Sequence, residues 1–286
     1  MHHLKVFIDL TRLNKPIGFM LLFWPCSWSL AFANIGNSNF NLFLYYLLLF
    51  FLGSVLMRSA GCIFNDIVDK DFDKNVKRTK NRPIAAGRIS VLHALMYVLM
   101  LCIIAFFILI QFNMLTIFLG LGSMVLAFSY PFMKRITYWP QLFLGITFNW
   151  GIIMAWTAFN NNITPEIVLL YLSAIFWTLG YDTLYGAQDM SDDEIIGVKS
   201  TSIKFKNNIQ KFVTLSYFIS IGLIVFLFKN FIGQNIFTIF LMMFVFSLIY
   251  QLVFLKKNNP SQYLKLFKTN NISGLLLFIG IFSINS

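Results

Sequence analysis

Nine stretches of mostly apolar residues follow one another along the chain, and each is close to the length of about 20 residues that a helix needs to cross a lipid bilayer. Only helices and closed barrels satisfy their backbone hydrogen bonds inside lipid, and apolar runs of this length favour helices. The candidate spans are 17–34, 41–62, 91–111, 113–131, 141–159, 164–184, 211–229, 231–255 and 270–285. The sequence therefore predicts an all-α, polytopic membrane protein with nine transmembrane helices.

The composition agrees with lipid as the natural solvent. The 286 residues are 58% hydrophobic and 12% charged, whereas a soluble domain has about 25% charged residues. The net charge of +11 does not indicate a nucleic-acid partner, because the basic residues lie between the apolar runs. Three cysteines without a CxxC pair indicate neither a disulfide framework nor a zinc site. No linker divides the chain, so a single domain over residues 1–286 is predicted.

The basic residues predict the orientation of the chain. If nine helices alternate, 20 of the 22 lysines and arginines lie on one side of the membrane. Only Lys229 lies in a connection on the other side, and Arg58 lies within the second span. Cytoplasmic connections are enriched in Lys and Arg. We therefore expect a cytoplasmic N-terminus and a cap of cytoplasmic connections.

Nine of the 11 acidic residues form two clusters, both on the predicted cytoplasmic side. The clusters contain Asp66, Asp69, Asp71 and Asp73, and then Asp182, Asp189, Asp192, Asp193 and Glu194. At helical spacing, Asp66, Asp69 and Asp73 share one face, and Asp71 points elsewhere. Asp189 and Asp193 are likewise four residues apart. Two carboxylate stripes are therefore expected to meet at one end of a helix bundle.

Such stripes are suited to magnesium and diphosphate. Mg²⁺ prefers oxygen ligands and typically binds one or two carboxylates together with substrate phosphates. Two metals can clamp one diphosphate, and Arg and Lys can neutralise its remaining charge. The alternative is that the charges are solvated caps between spans, which is the better interpretation for Asp71, Asp192 and Glu194 individually. Calcium is a weaker match because the chain has no calcium-binding loop with a central glycine.

Two motifs in these clusters resemble those of the UbiA superfamily of intramembrane aromatic prenyltransferases. NDxxDxxxD stands at 65–73 and YDxxYxxxDxxDD at 181–193, and the resemblance extends over about residues 10 to 284. The stretches RLNKPIGFMLLFWP at 12–25 and YPFMKRITYWPQ at 130–141 are also similar, and the second favours the branch that acts in ubiquinone synthesis. Gly186 departs from the expected alanine, off the ligand stripe.

The resemblance implies a fold, a cofactor and a set of roles. The fold would be nine helices around a central cavity with a cytoplasmic cap, and the cofactor would be Mg²⁺. The implied metal ligands are Asn65, Asp66, Asp69, Asp73, Asp182, Asp189 and Asp193. The residues closest to the chemistry would be Asp69, Asp73, Asp189, Asp193 and Arg135.

The implied substrates are a polyprenyl diphosphate, held with its tail among helices and membrane lipid, and 4-hydroxybenzoate. The expected phosphate-binding residues are Arg58, Lys77, Arg78 and Arg82. Aromatic faces steady an allylic cation, and the candidates are Tyr181, Tyr185 and Phe148. Arg135 is expected to hold the benzoate carboxylate. Arg58 could instead be a structural partner of Asp66, and Arg135 could instead be a headgroup or topology-determining residue.

Two other functions remain open from the sequence. A relative with the same motifs can act on another acceptor, such as dihydroxynaphthoate, homogentisate or haem. A transporter would also have many spans, but its polar site usually lies at mid-membrane, whereas these acids gather at one face. For an enzyme of this kind, we expect location in a bacterial inner membrane.

Overall fold

The computed structural model describes residues 2–36, 39–255 and 259–285, and within these ranges the regular structure is entirely helical. Nine helices are long: α2 (Ile17–Ala33), α3 (Phe40–Val68), α5 (Val91–Leu109), α6 (Met114–Ile136), α7 (Pro140–Asn160), α8 (Pro165–Gly186), α11 (Ile209–Leu227), α12 (Ile236–Val253) and α13 (Pro260–Phe282). Four are shorter: α1 (His2–Thr11), α4 (Lys70–Asp73), α9 (Met190–Ile195) and α10 (Thr201–Lys204). The nine long helices correspond one to one with the nine predicted spans.

Local sequence determines where several helices begin. The side chains of Asn39, Ser90, Asn113, Asn235 and Asn259 each accept a hydrogen bond from a backbone N–H in the first turn of the helix that follows. Such caps satisfy donors that have no partner within the helix. Helices α7, α8 and α13 start with proline, whose missing N–H costs nothing at that position.

Three helices differ most in length from the prediction, and one of them, α12, begins at Ile236 and not near residue 231. The last helix begins at Pro260 and not near residue 270, because its first turns carry Lys265 and Lys268 and were too polar to read as a span. Helix α3 continues to Val68 instead of stopping near residue 62, so the first acidic motif begins inside it. The chain then turns at Asp69 and continues as α4.

The surface of the bundle identifies a multi-pass membrane protein. Seven of the long helices are long and apolar enough to cross a bilayer, and α2 is a slightly shorter apolar helix. Large apolar side chains are exposed along the outer faces, including Leu92, Val125, Phe218, Phe246 and Val253. In water these would be costly, whereas in lipid they meet a matching solvent.

Close helix contacts hold the interior together. Helix α8 is the most interior of the candidate spans and packs against α7 and α11. Gly180 lets it approach α11, because a Cβ there would lie 2.3 Å from a ring carbon of Tyr217. Gly274 of α13 similarly faces the ring of Trp24. Small residues allow membrane helices to approach and gain van der Waals contact.

Candidate active site

A cavity of about 1280 Å³ lies inside the bundle, lined by α2, α3, α5, α6, α7, α8 and α13 and by the short helices α4 and α9. Its polar end contains Asp69, Asp73 and Asp189. At the other end it is lined by apolar side chains such as Phe50 and Phe112. Phe50 precedes Asp66 by 16 residues on α3, or about 24 Å at 1.5 Å per residue. The shape therefore suits a ligand with a charged head and a long apolar tail.

The first acidic motif places three of its four aspartates in the interior. Asp66 and Asp69 are each 1% exposed, and Asp73 is 6% exposed. Asp71 points to solvent and pairs with Lys74, at 3.0 Å. The Asn65 side chain donates to Asp69 Oδ2 over 2.9 Å, four residues further along the chain. Helical spacing thus brings together the residues predicted to share one face.

Arginines lie against these carboxylates. Arg12 Nη2 is 2.6 Å from Asp66 Oδ1, and Arg82 Nη1 is 3.0 Å from the same oxygen. Arg82 also donates to Asp73 Oδ2 over 2.8 Å. Burial raises the pKa of the Asp73 carboxyl, and the charge of Arg82 opposes that rise. Two guanidinium groups therefore balance part of the negative charge of the cluster.

Helix α6 contributes a lysine from the far side of the cavity. Lys134 Nζ donates to Asp69 Oδ2, and both residues line the cavity. Its neighbour Arg135 donates to the backbone carbonyl of Val68 over 2.6 Å and lies 4.9 Å from the centre of the Phe72 ring. Arg135 is not among the residues that line the cavity in the described part of the chain.

The second acidic motif is contacted by an arginine from the connection that follows the first motif. Arg78 contacts both carboxylate oxygens of Asp189, with an Nη2–Oδ2 distance of 2.6 Å, and its guanidinium carbon lies 5.8 Å from the Tyr185 ring centre. Burial, reinforced by the charge of Asp189, raises the pKa of Asp193 to about 6. Asp182 lines the same cavity. The two motifs, 116 residues apart at Asp66 and Asp182, therefore form one polar site.

Arg58 lies further inside the cavity. Its guanidinium carbon is 5.4 Å from the centre of the Phe148 ring, and its Nε is buried without a hydrogen-bond partner. Gly18 leaves room for it, because a Cβ there would lie 2.9 Å from that nitrogen. Among the described residues, Arg12 and Arg82 form the ion pairs with Asp66, so the alternative of a structural pair between Arg58 and Asp66 does not hold. Tyr181 also lines the cavity, with a buried hydroxyl that has no partner.

Two carboxylate oxygens fit a metal. In the part of the chain that the structure describes, Asp66 Oδ2 and Asp69 Oδ1 are buried and accept no hydrogen bond, which is costly for an ionised group unless a cation or ligand reaches it. Arg135 Nη2 lies 3.8 Å from Asp69 Oδ1, which is ion-pair distance but too far for a hydrogen bond. In the described residues, no three acidic, histidine or cysteine side chains converge into a complete metal site. Mg²⁺ generally takes only one or two carboxylates and completes its shell with water and phosphate, so these two oxygens suit it.

Two contacts of the site were missed by the sequence analysis. Three predicted residues are not among those that line the cavity in the described part of the chain: Asp66, Lys77 and Arg135. Arg12 and Lys134 were used only to determine orientation, although both reach buried aspartates. The signal available was their position in the stretches 12–25 and 130–141, which carried the family resemblance. Lys77 is exposed and is not part of the described cavity lining.

Comparison with known proteins places these motifs in a family. Residues 22–275 match the UbiA prenyltransferase family. The chain is 40% identical over 275 residues to 4-hydroxybenzoate octaprenyltransferase of Tolumonas auensis, covering 96% of this chain and 94% of that protein. It is 41% identical to the mitochondrial 4-hydroxybenzoate polyprenyltransferase of Bos taurus, covering 97% and 75%. The alignment with the corresponding Arabidopsis thaliana protein, at 46% identity, spans only about half of that longer chain, 51%.

Solved structures with low sequence identity share the fold. An apo UbiA homolog from Aeropyrum pernix superposes with a TM-score of 0.77 at 20% identity, covering 92% of this chain and 96% of the other. A UbiA homolog from Archaeoglobus fulgidus, bound to GPP and Mg²⁺, has a TM-score of 0.71 at 17% identity, with 98% and 99% covered. At these identities the likeness concerns the arrangement of helices.

Proposed function

The chain belongs to the UbiA prenyltransferase family, and from this premise we propose that it is a Mg²⁺-dependent 4-hydroxybenzoate polyprenyltransferase. It transfers the prenyl group of a polyprenyl diphosphate to the carbon ortho to the hydroxyl of 4-hydroxybenzoate, in ubiquinone synthesis. The observation that carries this proposal is 40% identity to a 4-hydroxybenzoate octaprenyltransferase over nearly the full length of both chains. The cavity, polar at one end and apolar at the other, accommodates such a donor.

The polar end binds the diphosphate. Asp66 and Asp69 each offer a buried oxygen that accepts no hydrogen bond in the described residues. The other proposed ligands are Asn65, Asp73, Asp182, Asp189 and Asp193. Mg²⁺ bound there supplies positive charge against the negative charge that develops on the leaving diphosphate. Arg78, Arg82 and Lys134 lie among these carboxylates and are available to donate to phosphate oxygens. A structure of a UbiA homolog bound to GPP and Mg²⁺, which shares this fold, supports this proposal.

The inner part of the cavity holds the reacting carbons. The allylic C–O bond breaks, the electron pair leaves with the diphosphate, and the ring carbon of the acceptor attacks and then loses its proton. Faces of Tyr181, Tyr185 and Phe148 line this region and stabilise positive charge on the allylic carbon. The enclosing helices keep water away from that carbon.

The acceptor carboxylate needs a cation within the cavity. Arg58 lines it, and its Nε has no hydrogen-bond partner among the described residues. Arg135, which is not part of the described lining, donates to the Val68 carbonyl and forms an ion pair with Asp69 at 3.8 Å. Arg58 is therefore better placed to hold the carboxylate, and Arg135 to fix the end of α3. The predicted contact of Arg135 with benzoate stays a prediction that substitution of both arginines tests.

The proposed location is a bacterial inner membrane with the N-terminus and the acidic cap on the cytoplasmic side. The excess of Lys and Arg on that side supports this orientation, and a bacterial relative is among the similar proteins. In this orientation, both the diphosphate head and the soluble acceptor reach the site from the cytoplasm.

The test uses purified protein in nanodiscs with geranyl diphosphate, radiolabelled 4-hydroxybenzoate and Mg²⁺. We expect label in the organic phase that disappears when EDTA replaces Mg²⁺. Product only with dihydroxynaphthoate, homogentisate or haem would keep the transfer mechanism and change the acceptor. No product with any acceptor, together with flux through proteoliposomes, would instead support a transporter.

A further inference from the structure

Arg12 has an unusual backbone conformation at a conspicuous place. It follows α1 directly and has φ = 56°, in the left-handed region. For residues other than glycine this conformation is strained, and residues in it cluster at functional sites. Only one other non-glycine residue in the described chain shares it, Asn161, which ends α7 far along the sequence. The conformation of Arg12 therefore calls for a compensating contact.

The compensating contact is with the first acidic motif. Arg12 Nη2 lies 2.6 Å from Asp66 Oδ1, and Nη1 lies 3.6 Å from Cys62 Sγ, one helical turn earlier on α3. Arg82 contacts the same Oδ1. Both cations thus occupy one oxygen of a carboxylate that is 1% exposed, and the other oxygen, Oδ2, has no partner.

The packing of α1 fixes the position of the Arg12 backbone relative to α3. Leu10 is fully buried and belongs to a cluster with Val6, Ile63 of α3 and Ala94 of α5. Asp9 lies 3.7 Å from Arg88, at the end of the connection that follows α4. The short helix that leads into Arg12 is therefore held against α3 and α5.

We propose that Arg12 is a positioning residue that holds the Asp66 carboxylate by one oxygen so that the other is presented to the divalent metal. The proposal rests on the proposed metal site, and no role for Arg12 follows from the motifs themselves. Groups that hold a metal ligand typically change metal affinity 10–100-fold when they are removed. A guanidinium that acted only as a counter-ion would compete with the metal, so its removal would strengthen metal binding. The two roles therefore predict opposite signs.

The experiment measures Mn²⁺ binding by electron paramagnetic resonance, with inorganic diphosphate present, for wild-type protein and variants in nanodiscs. We expect Arg12→Gln and Arg12→Gly to weaken Mn²⁺ binding at least about tenfold, and Arg12→Lys to restore part of it. Unchanged or tighter binding in Arg12→Gln would overturn the proposal. Absence of Mn²⁺ binding in the wild type would instead overturn the metal site on which it rests.

Glycine at position 12 separates positioning from stability. Arg12→Gly relieves the backbone strain, so the variant should lose metal affinity without a lower melting temperature. Asn161→Gly is the matched control: it relieves the same kind of strain and should leave Mn²⁺ binding unchanged. Leu10→Ala introduced alone should weaken Mn²⁺ binding. Introduced together with Arg12→Gly, it should weaken Mn²⁺ binding little beyond Arg12→Gly alone, because α1 acts through the Arg12 side chain. Full additivity of the two changes would show that α1 does not act through this side chain.

Discussion

Asp69 occupies the centre of the proposed diphosphate site. It is 1% exposed, bonds to Asn65 and Lys134, and keeps one oxygen without a hydrogen bond. Asp69→Asn retains the shape and can still accept from Asn65, but it removes the charge that a metal needs. We expect turnover to fall at least about 100-fold with the fold intact, and Asp69→Ala to abolish it.

The matched control is Asp71→Asn, which removes a charge from the same motif at a side chain that is 88% exposed. Its turnover with geranyl diphosphate should stay near that of the wild type, since a surface ion pair contributes little. Near wild-type turnover in Asp69→Asn or in Asp189→Asn would contradict the two-metal arrangement. Circular dichroism on the same samples verifies that the helices are retained.

Asp193 predicts a pH dependence in the metal-free protein. Burial and the neighbouring Asp189 raise its pKa to about 6, above the value of about 3.9 for an unfolded chain. The folded state therefore binds this proton more tightly, and the stability it contributes is present below about pH 4 and lost as pH rises through about 6. In EDTA, which removes metal ions, the Asp193→Asn variant should not lose this contribution to stability as the pH rises.

Thermal unfolding from pH 4.5 to 8 measures this difference. The melting temperature of Asp193→Asn should rise relative to wild type as pH increases, and the gap should level off above about pH 7. Asp192→Asn, on the same short helix α9, controls for the loss of one negative charge. A gap that is constant with pH would show that Asp193 is already ionised throughout the range.

The direction in which a side chain points could be predicted from the sequence where the residue belongs to a helical repeat. Asp66, Asp69 and Asp73 point inward and Asp71 outward, as helical spacing predicted. Arg12 was not predictable in this way, because it meets Asp66 across 54 residues and from a left-handed backbone that no pattern of polarity encodes. Contacts between elements depend on how helices dock, which one sequence does not specify.

Helix α8 offers a test of packing between elements. The Cβ of Gly180→Ala would lie 2.3 Å from a ring carbon of Tyr217 on α11. That ring has little room to move, because it is 1% exposed and its hydroxyl donates to Gln251 over 2.7 Å. Overpacking of this kind costs about 1–3 kcal/mol, so the melting temperature in detergent should fall.

Gly222→Ala on α11 is the control for this prediction. A Cβ at Gly222 meets no atom within 4 Å, so alanine should be neutral or slightly stabilising through its higher helix propensity, by up to about 1 kcal/mol. Equal melting temperatures for the two variants would show that α8 and α11 are farther apart than the structure places them.

Helix α13 shows why one boundary was wrong in the sequence analysis. Its buried Asn270 accepts from Trp177 over 2.9 Å and donates to Gln251 over 2.9 Å, while Lys268 and Asn271 line the cavity. Hydropathy treats these polar residues as the end of a span. In the folded bundle their polar groups meet other helices or the cavity, so the helix extends ten residues further toward its N-terminus than predicted.

The whole molecule brings together two motifs from distant parts of the chain. Three long helices, α5, α6 and α7, lie between α3 and α8 in the chain. Because successive spans point in opposite directions, α3 and α8 point in the same direction. Their C-terminal ends, which carry the acidic motifs, therefore lie at the same face of the bundle. The sequence was sufficient to predict this, because helix count and charge bias agreed. It did not predict that Arg78 contacts Asp189, since that contact depends on the path of the connection after α4.

Orientation in the membrane is the remaining prediction, and Lys74 and Lys229 test it. Both are exposed, and nine alternating spans place them on opposite sides. Each cysteine is introduced in a variant with alanine at the three natural cysteines. Lys74→Cys should react with an impermeant maleimide only after the membrane is opened, whereas Lys229→Cys should react in intact cells. This outcome follows from the excess of Lys and Arg in connections on the cytoplasmic side. The reverse labelling pattern would show that the acidic site faces the outside of the cell. Labelling of both cysteines in intact cells would show that one of the nine helices does not cross the membrane.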